Sequence, residues 1–167
     1  ASASFRIKAP IFIARQLGKH QVGLVWNEVS RRYVDSDPEF YEPSEWRAKA
    51  PNVKQGSSID TVEDNVGICI EYTNAVKECY LTYKKMLDHG VCPEQARMIL
   101  PQSMMTEWIW SGSLYAFSRV CQLRLDKTSQ LEVQEVARQI SAYCSTKFPR
   151  SWDALMKEND DDKTERK

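Results

Sequence analysis

Ser30, Arg31 and Arg32 place a hydroxyl group and two guanidinium groups side by side in the chain. The planar guanidinium fork donates paired hydrogen bonds to phosphate oxygens, so this stretch predicts a site for a nucleotide phosphate. A solvated surface loop is the alternative. For the four residues SRRY taken alone, the loop is the better interpretation, because so short a match recurs by chance.

Gln16, Lys19 and His20 are spaced three and four residues apart. On a helix this spacing puts the three side chains on one face, directly before the Ser30 stretch, where they would extend the same polar surface. A helix end is the alternative, since the helix dipole favours a lysine and a histidine near the last carbonyl groups. Without other support, the helix end is the better interpretation.

Arg97 and Arg124 each lie between two apolar residues. A charge in such surroundings needs a partner, because burying it unpaired is costly. The partner is either a bound ligand or a carboxylate, with Glu94, Glu107 and Asp126 as the candidates for structural ion pairs. The residues themselves leave both alternatives open.

The overall composition excludes several classes of function. Lys plus Arg and Asp plus Glu each number 23 among 167 residues, so no global field attracts nucleic acid or an anionic membrane. An RNA-binding module built on the arginine and tryptophan loop is therefore disfavoured. We expect neither a signal peptide nor a membrane span, since no charged start followed by an apolar stretch marks the first and no run approaches the roughly 20 apolar residues of the second.

The five cysteines are odd in number, form no CxxC pair and are accompanied by two histidines. This pattern favours neither a disulfide framework nor a zinc site, so we expect packing cysteines, no metal and a cytoplasmic protein. Four aromatic residues could stack on a planar ring but are more often part of a core, and no site is assigned to them: Trp26, Trp108, Trp110 and Tyr115.

The first part of the chain predicts a strand, a short helix and a long helix. Alternating Ala3, Phe5 and Ile7 predict the strand, and residues 10–18 the short helix. The next stretch, up to Tyr33, is interpreted as a binding loop. Further along, the following are expected: a surface loop over 34–57 and a long amphipathic helix over 58–89, ended by Gly90.

The second part predicts helices around one strand. Pro93 begins a helix that ends before Pro101, and MMTEWIW is typical of a strand. Ser111 to Ser113 offer caps for the next helix. The last helix is expected over 129–143, with these residues facing inward: Leu131, Val133, Val136, Ala137 and Ile140.

Five sequence blocks, in order, resemble the flavin-dependent thymidylate synthases up to about Trp152. They are KAPIFIARQ, WNEVSRRY, PEFYEP, ARMILP, and LRLD followed by SQLEVQ. One block departs from the family signature, which is Arg-His-Arg, seven residues and then Ser. Here the stretch is Lys19-His20-Gln21 with eight residues before Ser30, which resembles bacteriophage members of the family.

The resemblance implies a set of site residues. Those that would bind dUMP are Gln16, Ser30, Arg31, Arg32, Arg97 and Arg124, with Arg97 reaching in from a neighbouring subunit. Those that would contact FAD are Lys19, His20, Gln21, Glu28, Ser113 and Arg119. Ser30 and Arg124 would be catalytic, with Arg124 stabilising negative charge on the uracil ring as its C5 carbon becomes nucleophilic.

The resemblance also implies a mixed α+β fold, in which an antiparallel sheet packs with several helices, and a homotetramer whose active sites are shared between subunits. FAD would be the cofactor, NADPH the reductant and methylenetetrahydrofolate the one-carbon donor. We expect one domain over residues 1–155 that lacks its N-terminal segment, and a disordered charged tail over 156–167. An inactive fragment, or an oligomeric subunit that binds nucleotide without reacting, is the competing hypothesis.

The forked phosphate contact gives a first prediction. Arg32→Ala should weaken dUMP binding by about 1.5–3 kcal/mol, the usual contribution of a hydrogen bond to a charged group. Titration calorimetry measures the change directly. An unchanged affinity would show that Arg32 does not contact the nucleotide.

Overall fold

A computed structural model describes residues 1–29, 37–50 and 57–164 of the chain. The strands are β1 (Ser2–Pro10), β2 (Leu24–Glu28), β3 (Arg47–Lys49), β4 (Ser57–Thr61) and β5 (Met105–Ser113). The helices are α1 (Ile11–Leu17), α2 (Asn65–Asp88), α3 (Pro93–Ala96), α4 (Leu114–Arg124), α5 (Leu131–Lys147) and α6 (Pro149–Thr164), with a 3₁₀ turn at Arg97–Ile99 after α3.

The main sheet has three antiparallel strands in the order β1-β5-β2. Trp110 of β5 lies opposite Phe5 on one side and Trp26 on the other. Along β1 the exposure alternates as the sequence predicts, because successive side chains of a strand point to opposite faces. The predicted α+β fold with an antiparallel sheet is confirmed.

The core lies between this sheet and the helices α1, α4 and α5. Trp108, Trp110 and Phe117 are completely buried there, and each such side chain contributes roughly 1.5–3 kcal/mol of hydrophobic stabilisation. The ring of Phe5 meets that of Phe117 edge-on, with centroids 4.9 Å apart. The tryptophans of MMTEWIW are thus core residues, as the sequence indicates.

Two helices, α1 and α4, directly follow strands of the sheet, and they contain Gln16 and Arg124. β1 passes into α1 after Pro10, which lacks the N–H that a first helical turn leaves unpaired. β5 passes into α4 at Ser113, whose Oγ accepts a hydrogen bond from the N–H of Ala116 at 3.1 Å. The predicted short helix and the predicted serine cap are confirmed.

The predicted long helix over 58–89 is wrong at its beginning. Residues 57–61 form β4, which pairs with β3 inside the stretch that was expected to be loop. α2 begins only after Asp64, because that carboxylate caps the helix by accepting from the N–H of Gly67. At the other end Gly90 adopts φ 80°, the left-handed conformation of a helix stop.

One prediction of which side chains face inward is also wrong. Leu131, the first residue of α5, is 45% exposed. Further along the same helix Val133, Ala137 and Ile140 are buried, as predicted.

The stretch expected to be a binding loop contains β2, because Leu24 and Trp26 continue the alternating pattern of a strand against β5. Near the other end of the chain, the backbone of α6 is helical to Thr164, whereas the sequence predicts disorder from 156. Lys157 donates to Asp153 one turn earlier, a spacing that supports a helix. Among the described residues no helix is both long and apolar enough to cross a membrane.

The close contact of β5 with the turn before β2 gives a second prediction. A Cβ at Gly112 would stand 2.4 Å from the carbonyl oxygen of Gly23, so Gly112→Ala should lower the free energy of unfolding by about 1–3 kcal/mol. Urea denaturation measures this. Gly18→Ala is the matched control, since its Cβ would lie 3.2 Å from the nearest atom and its φ of −61° suits alanine. Equal effects at the two positions would refute the steric argument.

Candidate active site around Gln16, His20 and Arg124

Arg124 is the last residue of α4, and its half-buried guanidinium group points at the end of α1. Its Nε donates a hydrogen bond to Nε2 of His20 at 2.9 Å. Its Nη2 donates to the backbone carbonyl oxygen of Gln16 at 3.3 Å. These three residues, which we call the Arg124 cluster, come together although more than 100 positions separate Arg124 from each of the other two.

α1 ends at Leu17, so Lys19 and His20 follow the helix and do not extend its face. The predicted common helix face of Gln16, Lys19 and His20 is therefore wrong. Instead, the N–H of His20 donates to the carbonyl oxygen of Leu17 at 3.0 Å, and the imidazole contacts Arg124. Lys19 is exposed, whereas His20 is half-buried.

The imidazole of His20 is held in its neutral form. Its Nε2 accepts a hydrogen bond from Arg124, so the ring proton is assigned to Nδ1. Burial of the ring lowers the pKa of His20 below its usual 6.5, and the charge of Arg124 lowers it further. Protonating His20 therefore costs more in the folded than in the unfolded chain, and its contribution to stability falls as the pH drops below 6.5.

The side chain of Gln16 is fixed from another direction. Its Nε2 donates to Oε1 of Gln130, the residue that precedes α5. The backbone carbonyl of the same Gln16 remains available to Arg124. Gln16 thus joins the start of α5 to the end of α4, and no sequence pattern indicates the part played by Gln130.

A hollow of about 430 Å³ lies beside the cluster, between α1 and β2. Its lining residues are Ile11, Ala14, Arg15, Gly18, His20, Gln21, Leu24, Trp26 and Glu28. The indole of Trp26 forms part of one wall and stacks on that of Trp108, with centroids 4.2 Å apart. Glu28 is oriented by Thr106, whose Oγ1 donates to its carboxylate at 2.6 Å. The hollow therefore offers a flat aromatic wall, an imidazole and an oriented carboxylate.

Ser113 caps the start of α4, and Arg119 lies within that helix. A Cβ at Gly23 would be 3.2 Å from that of Ala116 and 3.6 Å from Oγ of Ser113, so the turn before β2 touches the start of α4. Arg119 is exposed one turn later, with its guanidinium carbon 6.0 Å from the ring centre of Tyr115. The hydroxyl group of Ser113 thus lies beside the Gly23 turn, which directly follows the segment that contains Lys19 and Gln21.

The family model described as "Thymidylate synthase complementing protein" matches residues 1–150. This chain belongs to that family. The resemblance that the five sequence blocks indicate is confirmed.

Relatives within the thymidylate synthase complementing family are similar over most of this chain. The flavin-dependent thymidylate synthase of Thermus thermophilus is 35% identical over 151 residues, which are 90% of this chain and 55% of the relative. That of Thermosipho africanus is 32% identical over 155 residues, 92% of this chain and 68% of the relative. The chain thus spans only 55% of the length of the Thermus relative.

The fold is also similar to that of a solved structure. The UMP/dUMP methylase PolB from Streptomyces cacaoi bound with 5-Br dUMP superposes with a TM-score of 0.82 at 26% identity. The match covers 92% of this chain and 70% of PolB. The fold is therefore shared with a protein that was crystallised with a nucleotide.

Arg97 lies apart from the Arg124 cluster, in the 3₁₀ turn next to α2. Its Nε donates to the backbone carbonyl oxygen of Glu94 at 3.3 Å, and its side chain is exposed. Of the carboxylates considered as ion-pair partners, Glu107 pairs with Arg6. A role for Arg97 in nucleotide binding therefore stays a prediction that involves a second subunit.

The predicted phosphate-binding residues Ser30, Arg31 and Arg32 lie outside the described residues. The predicted dUMP residues that the structure brings together are Gln16 and Arg124. Within the described residues no group of three or more His, Cys, Asp or Glu side chains is arranged to hold a metal ion.

The buried cysteines are unsuited to nucleophilic chemistry. Burial, followed by the nearby Cys144, raises the pKa of Cys121 to about 12, and burial raises the pKa of Cys144 to about 11. Both thiols therefore stay protonated at neutral pH, and a thiol is a much weaker nucleophile than a thiolate.

The difference in exposure between the surface cysteines and the buried ones gives a third prediction. With a disulfide-exchange reagent at pH 8, the exposed Cys69 and Cys92 should react rapidly, whereas Cys121 and Cys144 should react only after denaturant is added. The absorbance of the released thiolate and peptide mapping identify the labelled residues. Rapid labelling of Cys121 in the folded protein would contradict its placement in the core.

Proposed function

We propose that this chain is the main part of a flavin-dependent thymidylate synthase, which methylates C5 of the uracil ring of dUMP. The observation that supports this most directly is the Arg124 cluster. It brings together an arginine and a glutamine that the sequence resemblance implies as dUMP ligands, beside a hollow with an aromatic wall. Family membership and the fold of PolB agree with it.

Arg124 would act on the uracil ring through the part of its guanidinium group that points away from the cluster. Its Nε and Nη2 are hydrogen-bonded to His20 and Gln16, whereas Nη1 has no partner among the described residues. Two N–H groups are therefore free to donate to a uracil oxygen. Such donors stabilise the negative charge that develops on the ring as C5 becomes nucleophilic.

Gln16, Ser30, Arg31, Arg32 and Arg97 complete the proposed dUMP site. Gln16 is positioned by Gln130 and would hold the nucleotide so that its uracil ring lies within reach of Arg124. Ser30 and the two arginines after it would bind the phosphate by charged hydrogen bonds. Arg97 would come from a second subunit, as the family resemblance implies, since its own turn lies against α2 and α3.

The residues around the hollow fit a flavin dinucleotide at its edge. His20, Gln21 and Glu28 line the hollow and Ser113 lies against the Gly23 turn, so these polar groups would contact FAD. The exposed Lys19 and Arg119 would supply cations for its pyrophosphate. A hollow of about 430 Å³ has room for only part of such a molecule, so the remaining contacts would come from other chains. When bound, FAD supplies the hydride that completes the methyl group, with NADPH as the source of electrons.

The same proposal includes methylenetetrahydrofolate as one-carbon donor and a homotetramer with shared sites. Support for the assembly comes from α2, which keeps apolar side chains in contact with solvent within one chain. Val66, Ile68, Ile70 and Leu81 are 71%, 39%, 58% and 48% exposed, and a contact between subunits on α2 would remove these side chains from water. The free cysteines among the described residues suit a reducing compartment such as the cytoplasm.

Flavin absorbance of the full natural chain tests the proposal. The protein should be yellow when loaded with FAD, lose its visible bands with NADPH, and regain them when dUMP and methylenetetrahydrofolate are added. Mass spectrometry should then detect dTMP. A protein that binds dUMP but neither takes up FAD nor forms dTMP would support the competing hypothesis, a non-catalytic nucleotide-binding subunit.

Methylation of UMP is a second candidate function, favoured by the likeness to a UMP/dUMP methylase. The same assay with UMP in place of dUMP separates the two. Product from dUMP alone supports thymidylate synthesis, whereas product from both nucleotides indicates a site that tolerates the 2′-hydroxyl group.

A fourth prediction concerns Arg124 itself. Arg124→Lys should retain the fold but lose most of its turnover, because the compact ammonium group of lysine cannot reproduce the planar, forked donors of a guanidinium group. Turnover of dUMP and the thermal midpoint should both be measured.

Arg138→Lys is the matched control, since Arg138 is exposed on α5 and pairs there with Glu135. That variant should keep its turnover. Wild-type rates in Arg124→Lys would exclude the role assigned to Arg124.

A further inference from the structure

The contact between His20 and Arg124 depends on the protonation state of the imidazole. Arg124 has only N–H groups and can only donate, so Nε2 of His20 must carry a lone pair to accept at 2.9 Å. A protonated imidazole donates from both nitrogens and accepts from neither. The contact therefore exists only while His20 is neutral.

Two hydrogen bonds fix the plane of the Arg124 guanidinium group, and the bond to His20 is the shorter. The other, from Nη2 to the Gln16 carbonyl, is 3.3 Å long. Without His20, one long bond would leave the group free to rotate about its side-chain torsions. The orientation of Nη1, which faces away from both partners, would then be lost.

His20 is itself held firmly in place. Its N–H bonds to the carbonyl oxygen of Leu17 at 3.0 Å, and Gly18 ends α1 with an N–H bonded to the carbonyl oxygen of Ala14 at 2.8 Å. The ring is half-buried between α1 and α4. The backbone that carries the ring is therefore fixed, and partial burial restricts the ring itself, as a group that orients another requires.

The charged groups around the imidazole, among the described residues, come from three elements. Arg15 of α1 and Glu28 of β2 line the same hollow, and Arg124 of α4 is in direct contact. Glu28 is engaged by Thr106. Burial lowers the pKa of His20, and the charge of Arg124 lowers it further, so the accepting form prevails at neutral pH.

We infer that His20 is a positioning residue: as a neutral acceptor it aims the Arg124 guanidinium group at the nucleotide, and it releases that group when the imidazole is protonated. This inference rests on the proposed function, in which Arg124 acts on the uracil ring. His20 would thereby make the activity sensitive to acid through geometry, without taking a proton from the substrate.

The sign of the pH effect follows from the contact. When the pH falls through the pKa of His20, Nε2 gains a proton, its hydrogen bond to Arg124 breaks, and two cations face each other. Turnover of dUMP should fall with a midpoint below 6.5, because the pKa of His20 lies below that value.

Two substitutions of His20 separate its role as a hydrogen-bond acceptor from its ability to take up a proton. His20→Gln keeps an acceptor oxygen but cannot be protonated, whereas His20→Phe keeps a flat ring without an acceptor. At neutral pH and saturating FAD, we expect His20→Phe to lower kcat by about tenfold or more, the usual effect of losing a charged hydrogen bond. His20→Gln should lower it less, and its rate should no longer fall in acid as that of the wild type does.

The matched control is His89→Gln, because His89 is the other histidine of the chain and bonds to Lys85 at the end of α2. It should retain the acid fall in rate. If His20→Gln keeps the wild-type pH profile, or loses as much kcat as His20→Phe, the inference is overturned. Circular dichroism checks folding, and His20→Asn replaces His20→Gln if the latter does not fold.

Nitrogen NMR of the imidazole rings tests the contact without any turnover. With His89→Gln leaving one histidine, the spectrum should show Nε2 without a proton at pH 7 and a titration midpoint below 6.5. A proton on Nε2, or a midpoint at or above 6.5, would overturn the inference. A wild type that forms no dTMP at any pH yet shows the expected spectrum would instead contradict the proposed function alone.

Discussion

The pairing of β5 with both β1 and β2 is the constraint on which the rest of this structure depends. Trp108 and Trp110 of β5 are completely buried, so the central strand cannot shift by one residue without exposing both indoles. Because β1 leads into α1 and β5 leads into α4, the register of the sheet also sets how these two helices lie. The contact of Arg124 with Gln16 and His20 is a consequence of that register.

The chain stabilises its half-buried arginine with neutral partners. An imidazole and a backbone carbonyl satisfy two of its nitrogens without cancelling its charge. A carboxylate in the same place would hold the group firmly but would compete with an anionic ligand for it. Neutral partners therefore keep the positive field available to a nucleotide, which is what the proposed function requires.

The sequence predicts the elements whose patterns are local and misses those that depend on distant partners. The alternation in β1 and the serine cap of α4 are local signals, and both predictions are confirmed. The strands β3 and β4 exist because they pair with each other, whereas the apolar spacing alone predicts a helix that already begins at residue 58. The Arg47–Glu132 ion pair joins residues 85 positions apart and has no sequence signal.

The candidate site likewise combines features that the sequence predicts with contacts that it does not. Residue chemistry alone is compatible with either a ligand contact or an ion pair for Arg124, and the order of the five sequence blocks favours the ligand contact. The structure adds what neither could provide: His20 follows α1 instead of continuing it, and Gln130 fixes Gln16. These are tertiary contacts between segments that no spacing rule connects.

The stacked indoles of Trp26 and Trp108 have a spectroscopic consequence. Their ring centres are 4.2 Å apart and their planes differ by 16°, while Trp110 meets Trp26 edge-on at 5.7 Å. Electronic transitions couple strongly between chromophores this close and this rigidly oriented. The near-ultraviolet circular dichroism spectrum of the protein is thus sensitive to the packing of these indoles, and the indole of Trp26 forms part of one wall of the hollow. The circular dichroism of the helices dominates at shorter wavelengths and is measured separately.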